Sequence, residues 1–104
     1  MTIDHLSFKK GVEIRGVQPE MAAVWPVIAS VYGEFGRHCV ITSVIEGEHK
    51  SIVHPIGFAT DFRISNVPTG WHEKLADRIR EVLTDEFDVV LEVDHLHVEF
   101  DPRK

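Results

Sequence analysis

The stretch Val89-Val90-Leu91-Glu92-Val93-Asp94-His95-Leu96-His97-Val98-Glu99-Phe100 decides what kind of fold this chain can adopt. Successive side chains on a strand point to opposite faces. Leu96, Val98 and Phe100 therefore share one side of an extended segment, and His95, His97 and Glu99 share the other. The apolar side belongs against a core, and the histidine side lines a sheet face open to a site. Val89–Glu92 reads as a second short strand, so Val89–Glu92 and Leu96–Phe100 form a hairpin around Val93–His95.

Upstream of that hairpin, Trp71, Leu75, Ile79, Val82 and Leu83 recur at helical spacing, and Thr69 is placed to cap the helix they define. Asn66–Gly70 breaks the chain before it. Phe58–Ile64 alternates again, with Asp61 and Arg63 on one strand face. Glu46–Lys50 is a polar loop, and Cys39–Ile45 is apolar or β-branched at nearly every position, as in a strand buried on both faces. Met21, Val24, Trp25, Ile28, Val31, Tyr32 and Phe35 form the stripe of another helix, with Pro19 in its first turn and Gly36 past its end. Pro26 inside this pattern predicts a kink near Ala22–Pro26 or two separate helices. Residues 1–17 read as a lead-in with a short extended piece at Val12–Ile14. The order helix, strand, strand, helix, strand, strand predicts an α+β domain, with helices packed on a small antiparallel sheet.

A chain of 104 residues has room for one core, so residues 1–104 are expected to form a single domain. The formal charge of −6, with no concentration of Lys or Arg, argues against a nucleic-acid groove. The longest apolar run, Met21–Ser30, contains a proline and falls short of the ~20 residues a bilayer span needs. No charged-then-apolar leader pattern opens the sequence, so the protein is expected to be made in the cytoplasm and not to enter a membrane. The single cysteine, Cys39, sits in an apolar run and reads as a packed strand residue. Seven histidines are the compositional excess, and they direct the search for a site.

Two segments hold the informative histidines: Ser51-Ile52-Val53-His54-Pro55-Ile56-Gly57-Phe58-Ala59-Thr60-Asp61, and Glu92 to Glu99. Ligand atoms on one metal ion lie about 3 to 3.5 Å apart. A straight strand from His54 to Asp61 would separate their backbones by roughly 23 Å and a helix by about 10 Å, so the two can share an ion only across a turn. Pro55 and Gly57 supply turn residues, and the segment from Phe58 returns as a strand.

His54, Gly57, Ala59 and Asp61 stand in the pattern H-x-x-G-x-A-x-D, with Asp94, His95 and His97 downstream as an acidic residue followed by H-x-H. In these positions the chain resembles the zinc peptidases of the D-alanyl-D-alanine carboxypeptidase and Hedgehog-type fold, which include phage endolysin peptidases. The likeness covers roughly residues 38–101. It is greatest to small phage-encoded members, through Ile41-Thr42-Ser43, Asp61-Phe62-Arg63 and His97-Val98-Glu99. The resemblance implies Zn2+ held by His54, Asp61 and His97, with water in the fourth position. It further implies Asp94 as the general base, His95 beside it to orient the base or steady the attacked carbonyl, and a peptide bond of peptidoglycan stem peptides as substrate.

Many relatives carry Ser-Gly-aromatic-Arg after the first strand, where this chain has Ser43-Val44-Ile45-Glu46. The substrate-binding arginine is thus replaced by Glu46, and Arg63, with Arg37 and Lys50 behind it, is the expected substitute. The serine often found two residues before the first ligand is displaced to Ser51. An endopeptidase is therefore expected over a carboxypeptidase, because a free terminal carboxylate wants a fork of N–H donors. Action at the cell wall would need release by lysis machinery or carriage in a virion, with phage components as partners. Two rival expectations keep the zinc without the chemistry. One is a non-catalytic phage structural or binding module of the same fold. The other is a closed storage or dimer-bridging site with His95 as fourth ligand.

Overall fold

The structure, a computed structural model, describes residues 6–45 and 59–101. In chain order it contains β1 (Leu6–Phe8), α1 (Pro19–Glu34), β2 (Cys39–Ile45) and β3 (Ala59–Arg63). A 3-10 turn at Thr69–Trp71 leads into α2 (His72–Val82), and β4 (Phe87–Leu91) and β5 (His95–Phe100) are the last elements among the described residues. The strands form one five-stranded sheet in the order β1-β2-β3-β5-β4. The fold is α+β, as the element pattern predicts. The sheet is mixed rather than antiparallel, because β1 pairs with β2 in parallel while the remaining pairs are antiparallel.

β1 is the strand the sequence pattern does not announce, and Val12–Ile14 is not a strand. Three residues carry no measurable period. Leu6–Phe8 is extended because Cys39–Ile41, more than thirty residues away, offers it a ladder, and because Leu6 packs on the core while the Phe8 ring meets Trp25 edge-on with centroids 5.4 Å apart.

α1 runs through Pro26 without a break, contrary to the expected kink or division. Pro26 is on the exposed side, where solvent can take the carbonyl that its missing N–H leaves unbonded. Beyond the helix Gly36 takes φ +71°, and the N–H groups of Gly36 and Arg37 return to the carbonyls of Gly33 and Tyr32. This Schellman closure is the stop that Gly36 predicts. Met21, Trp25, Ile28, Val31 and Tyr32 are buried, with Val24 and Phe35 packed at the margin.

The second helix departs further from expectation. Thr69 makes no capping bond and instead begins the 3-10 turn. Trp71 and Val82 are each 37% exposed, so the buried stripe of α2 is Leu75, Ala76 and Ile79. A narrower stripe suffices because α2 covers only one end of the sheet. Its sheet contacts are chiefly with β4. β4 starts two residues earlier than the pattern suggests, and the three-residue β4–β5 turn lies one residue earlier than expected, closed by the Glu92 N–H to the His95 carbonyl at 2.8 Å.

β2 is not buried on both faces throughout. Thr42 is an extra residue between the pairs Ile41↔Phe62 and Ser43↔Asp61, a bulge at which Thr42 and Ser43 emerge partly from the interior. The Thr42 hydroxyl donates to the Asp61 carbonyl at 3.3 Å.

β3 is held in place from the helix side. The Trp25 indole N–H donates to the fully buried Thr60 hydroxyl at 3.0 Å, and the Tyr32 hydroxyl donates to the Arg63 carbonyl at 2.8 Å. Burial pushes the Tyr32 hydroxyl above the ordinary tyrosine range, so it remains a donor. Burial likewise pushes the Cys39 thiol up to about 12, as suits a packed rather than reactive cysteine. Among the described residues no helix is long and apolar enough to cross a membrane.

Candidate metal centre

The face of β3 and β5 turned away from the helices carries the polar half of each alternation. Antiparallel pairing sets Asp61 opposite His97, Arg63 opposite His95 and Ala59 opposite Glu99. Residues directly opposite on antiparallel strands have Cβ atoms about 4.5 to 5.5 Å apart, close enough for side chains to share a ligand. Residues distant in sequence are thereby brought to one spot by backbone register alone.

His97 lies between two carboxylates. Its Nδ1 is 2.7 Å from Asp61 Oδ1, and its Nε2 is 3.1 Å from Glu99 Oε1. Carboxylates only accept, so without a metal both ring nitrogens donate and the ring is an imidazolium. The Asp61 bond, opposed by partial burial and aided by Glu99, raises the pKa of His97 to about 9. His95 stands beside it, with ring centroids 6.5 Å apart. The His95 Nδ1–H donates to Asp94 at 2.7 Å, while Nε2 stands 3.6 Å from Asp61 Oδ1, beyond a hydrogen bond. Asp94 is 85% exposed, and its bond to His95 holds its carboxyl below the ordinary carboxylate range.

Asp61, His95 and His97 lie close enough to hold a metal ion, each offering one ligand atom within 4.8 Å of the others. One carboxylate oxygen and two imidazole nitrogens form a donor set compatible with Zn2+. Next to the cluster an open recess of about 260 Å³ is lined by Asp61, Arg63, Asp94 and His95, together with Lys9 and Ser65.

Of the residues singled out in the sequence, Asp61, His97, His95, Asp94 and Arg63 therefore meet at one place. His54 and Gly57 lie outside the described residues, as do Glu46, Lys50 and Ser51. Ala59 opens β3 and is buried. Arg37, the fallback for Arg63, does not line the recess. Its guanidinium lies over the Trp71 ring at 5.5 Å, because the tight end of α1 directs it toward the turn before α2. His72 opens α2, and its Nε2 is 3.0 Å from the Ile64 carbonyl and 2.8 Å from the Val67 carbonyl. His38 bonds Ser7.

Two contributors escape the sequence reading, and a third is placed by it without its partner. Glu99 was legible as the third member of the His95, His97 face, but its partnership with His97 requires side-chain geometry. Lys9 follows a strand that has no local signature. Ser65 follows β3, where no motif marks it.

No protein-family model, curated protein or solved structure matches this chain. The site therefore stands on its own geometry. Its chemical capacity is that of a cation-binding carboxylate–imidazole cluster, with an ionised aspartate at the rim and two cationic side chains bordering the recess. Among the described residues, the Arg63 guanidinium makes no ion pair, which leaves it available to an anionic or carbonyl group entering the recess.

Proposed function

We propose that this chain is a zinc-dependent peptidase of the D-alanyl-D-alanine carboxypeptidase and Hedgehog-type fold family, cleaving peptide bonds in peptidoglycan stem peptides. The observation that carries the reading is the register of β3 and β5, which sets Asp61 against His97 and brings Asp94, His95 and Arg63 to the same recess. Asp61 and His97 are family positions 36 residues apart in the chain, and nothing in their local sequence requires them to meet.

In this reading Asp61 and His97 hold the metal, with His54 as the third ligand by resemblance. Zn2+ held by these residues would supply Lewis acidity and would lower the pKa of a water bound to it to about 7. Asp94 accepts the proton of the attacking water and delivers it to the departing amine. His95 holds Asp94 ionised and aimed at the recess through the 2.7 Å bond. Arg63 holds a carbonyl or carboxylate of the peptide. Cleavage within the stem peptide is favoured over removal of a terminal residue, since Glu46 replaces the family's arginine. The setting is phage lysis or entry, with lysis machinery or a virion delivering the protein to the cell wall.

The test is mass spectrometry of purified peptidoglycan incubated with zinc-loaded protein, beside the Asp94→Ala variant carrying equal zinc. New amino termini from the wild type alone support the peptidase and name its bond. Intact murein with a full zinc site counts against it.

That outcome would favour a second reading, a non-catalytic zinc module whose closed site includes His95. The 3.6 Å approach of His95 Nε2 to Asp61 is the observation in its favour. Under that reading His95→Ala weakens zinc binding as much as His97→Ala does, whereas the peptidase reading expects the His97 variant to be far weaker.

A further inference from the structure

We infer that Glu99 is a positioning residue for the metal centre: its carboxylate takes the Nε2–H of His97 and so reserves Nδ1 for the metal. The inference rests on the metal-centre reading and goes beyond it by assigning each ring nitrogen a separate task.

A neutral imidazole has one donor and one acceptor nitrogen, and which is which depends on what the other nitrogen meets. The two sides of the His97 ring differ in what they offer. Nδ1 looks toward Asp61, and Asp61 with His95 completes the group of donor atoms that one ion can reach. Nε2 looks toward Glu99, which is not a member of that group. Binding a cation requires His97 to release one proton. Loss from Nδ1 alone would set a bare nitrogen against Asp61, but on that side an ion shared with Asp61 and His95 would take the proton's place, and the 3.1 Å Nε2–H bond to Glu99 is retained. Loss from Nε2 would set a bare nitrogen against a carboxylate, two acceptors with no proton between them. Glu99 thus favours the tautomer that presents Nδ1 to the ion.

The backbone makes this arrangement durable. His97 and Glu99 are on the same strand face two residues apart, and Ala59 opposite Glu99 contributes only a methyl group to that face. The Glu99 and His97 side chains are 21% and 24% exposed, so water competes weakly for the bond. Outer carboxylates that bond a metal-bound histidine in this way typically strengthen metal affinity by 10- to 100-fold.

The experiment uses the full chain and Zn2+ alone, titrated against a competing chelator, with wild type, Glu99→Gln and Glu99→Leu compared. Long-range 1H–15N spectra of the imidazoles, with and without the ion, report the His97 tautomer. Zinc-loaded wild type is expected to show His97 protonated on Nε2 and metallated through Nδ1. Glu99→Leu is expected to bind zinc roughly 10- to 100-fold more weakly, and Glu99→Gln, which keeps an acceptor oxygen, within about threefold of wild type. Circular dichroism of the metal-free variants separates loss of fold from loss of affinity, and the wild-type spectrum tests the inference even if Glu99→Leu does not fold. Metallation through Nε2 overturns it, as does Glu99→Leu affinity within about twofold of wild type. Wild type that binds no zinc sinks the metal centre itself and Glu99's task with it. Zinc bound normally without peptide cleavage counts only against the peptidase.

Discussion

The two faces of β3 and β5 are built from the same ten-odd residues of extended chain and do opposite work. On the helix side Thr60, Phe62, Leu96, Val98 and Phe100 are buried against α1, α2 and one another. On the far side Asp61, Arg63, His95, His97 and Glu99 are all partly exposed and polar. The buried face is specified by volume and apolarity, which many side chains could satisfy. The open face is specified by donor atoms at particular positions, which few could satisfy. Stability and chemistry are thus separated by the thickness of one sheet, and substitutions on either side should report on one without the other.

The sharpest test of that separation is Phe62→Ala, a fully buried side chain whose removal leaves a cavity between sheet and helices. Unfolding by urea should show a loss of roughly 3–5 kcal/mol, with zinc stoichiometry unchanged in whatever protein remains folded. If zinc binding fell as steeply as stability, the two faces would not be independent.

The open face contributes to stability in one respect, through the charge on His97. The folded-state pKa of about 9 lies above the ordinary 6.5, so this contribution is complete below about pH 6.5 and is lost as pH rises through about 9. Metal-free protein should lose roughly 2–3 kcal/mol across that window, read from urea midpoints at successive pH values. His97→Gln should abolish this part of the pH dependence. Zinc affinity should move the other way, strengthening as pH rises, because the ion and the proton compete for the same nitrogen.

The converse exception is Thr60, the one polar side chain on the buried face. Thr60→Val leaves the Trp25 indole N–H unpaired at the centre of β3 and should cost about 1–2 kcal/mol in thermal or urea unfolding. The smallest effect is expected at the sheet edge. There the Arg80 guanidinium donates twice to the Val89 carbonyl, at 3.1 and 2.8 Å, covering an acceptor that β4 would otherwise present outward. Arg80→Met should cost about 1 kcal/mol or less, and size-exclusion chromatography at rising concentration would show whether uncovering the edge promotes association.

The legible parts of this protein are those with a period. The alternation from His95 to Phe100, the stripe from Met21 to Tyr32 and the hairpin joining β4 to β5 all follow from local spacing, and each is present. The parts that depart from their local pattern lack a period or depend on an outside partner. Pro26 predicts a break from its residue type alone, but it stands on the solvent side of α1, which spacing does not reveal. The spacing of Trp71 matches the α2 stripe and predicts burial, but the ring stands beside Phe35 and Arg37 at the rim.

By itself the sequence determined which side chains share a face, because that depends on the two-residue repeat of a strand and the 3.6-residue repeat of a helix. It therefore determined that His95, His97 and Glu99 stand together and that Asp61 stands with Arg63. Which face meets which was decided only by tertiary structure. The pairing of β3 with β5, the bulge at Thr42 and the parallel docking of β1 are choices among backbone hydrogen-bonding partners far apart in the chain. Backbone groups are nearly the same in every residue, so they carry little sequence signature. Their pairing is selected by how the whole apolar surface closes, and that closure puts Asp61 opposite His97.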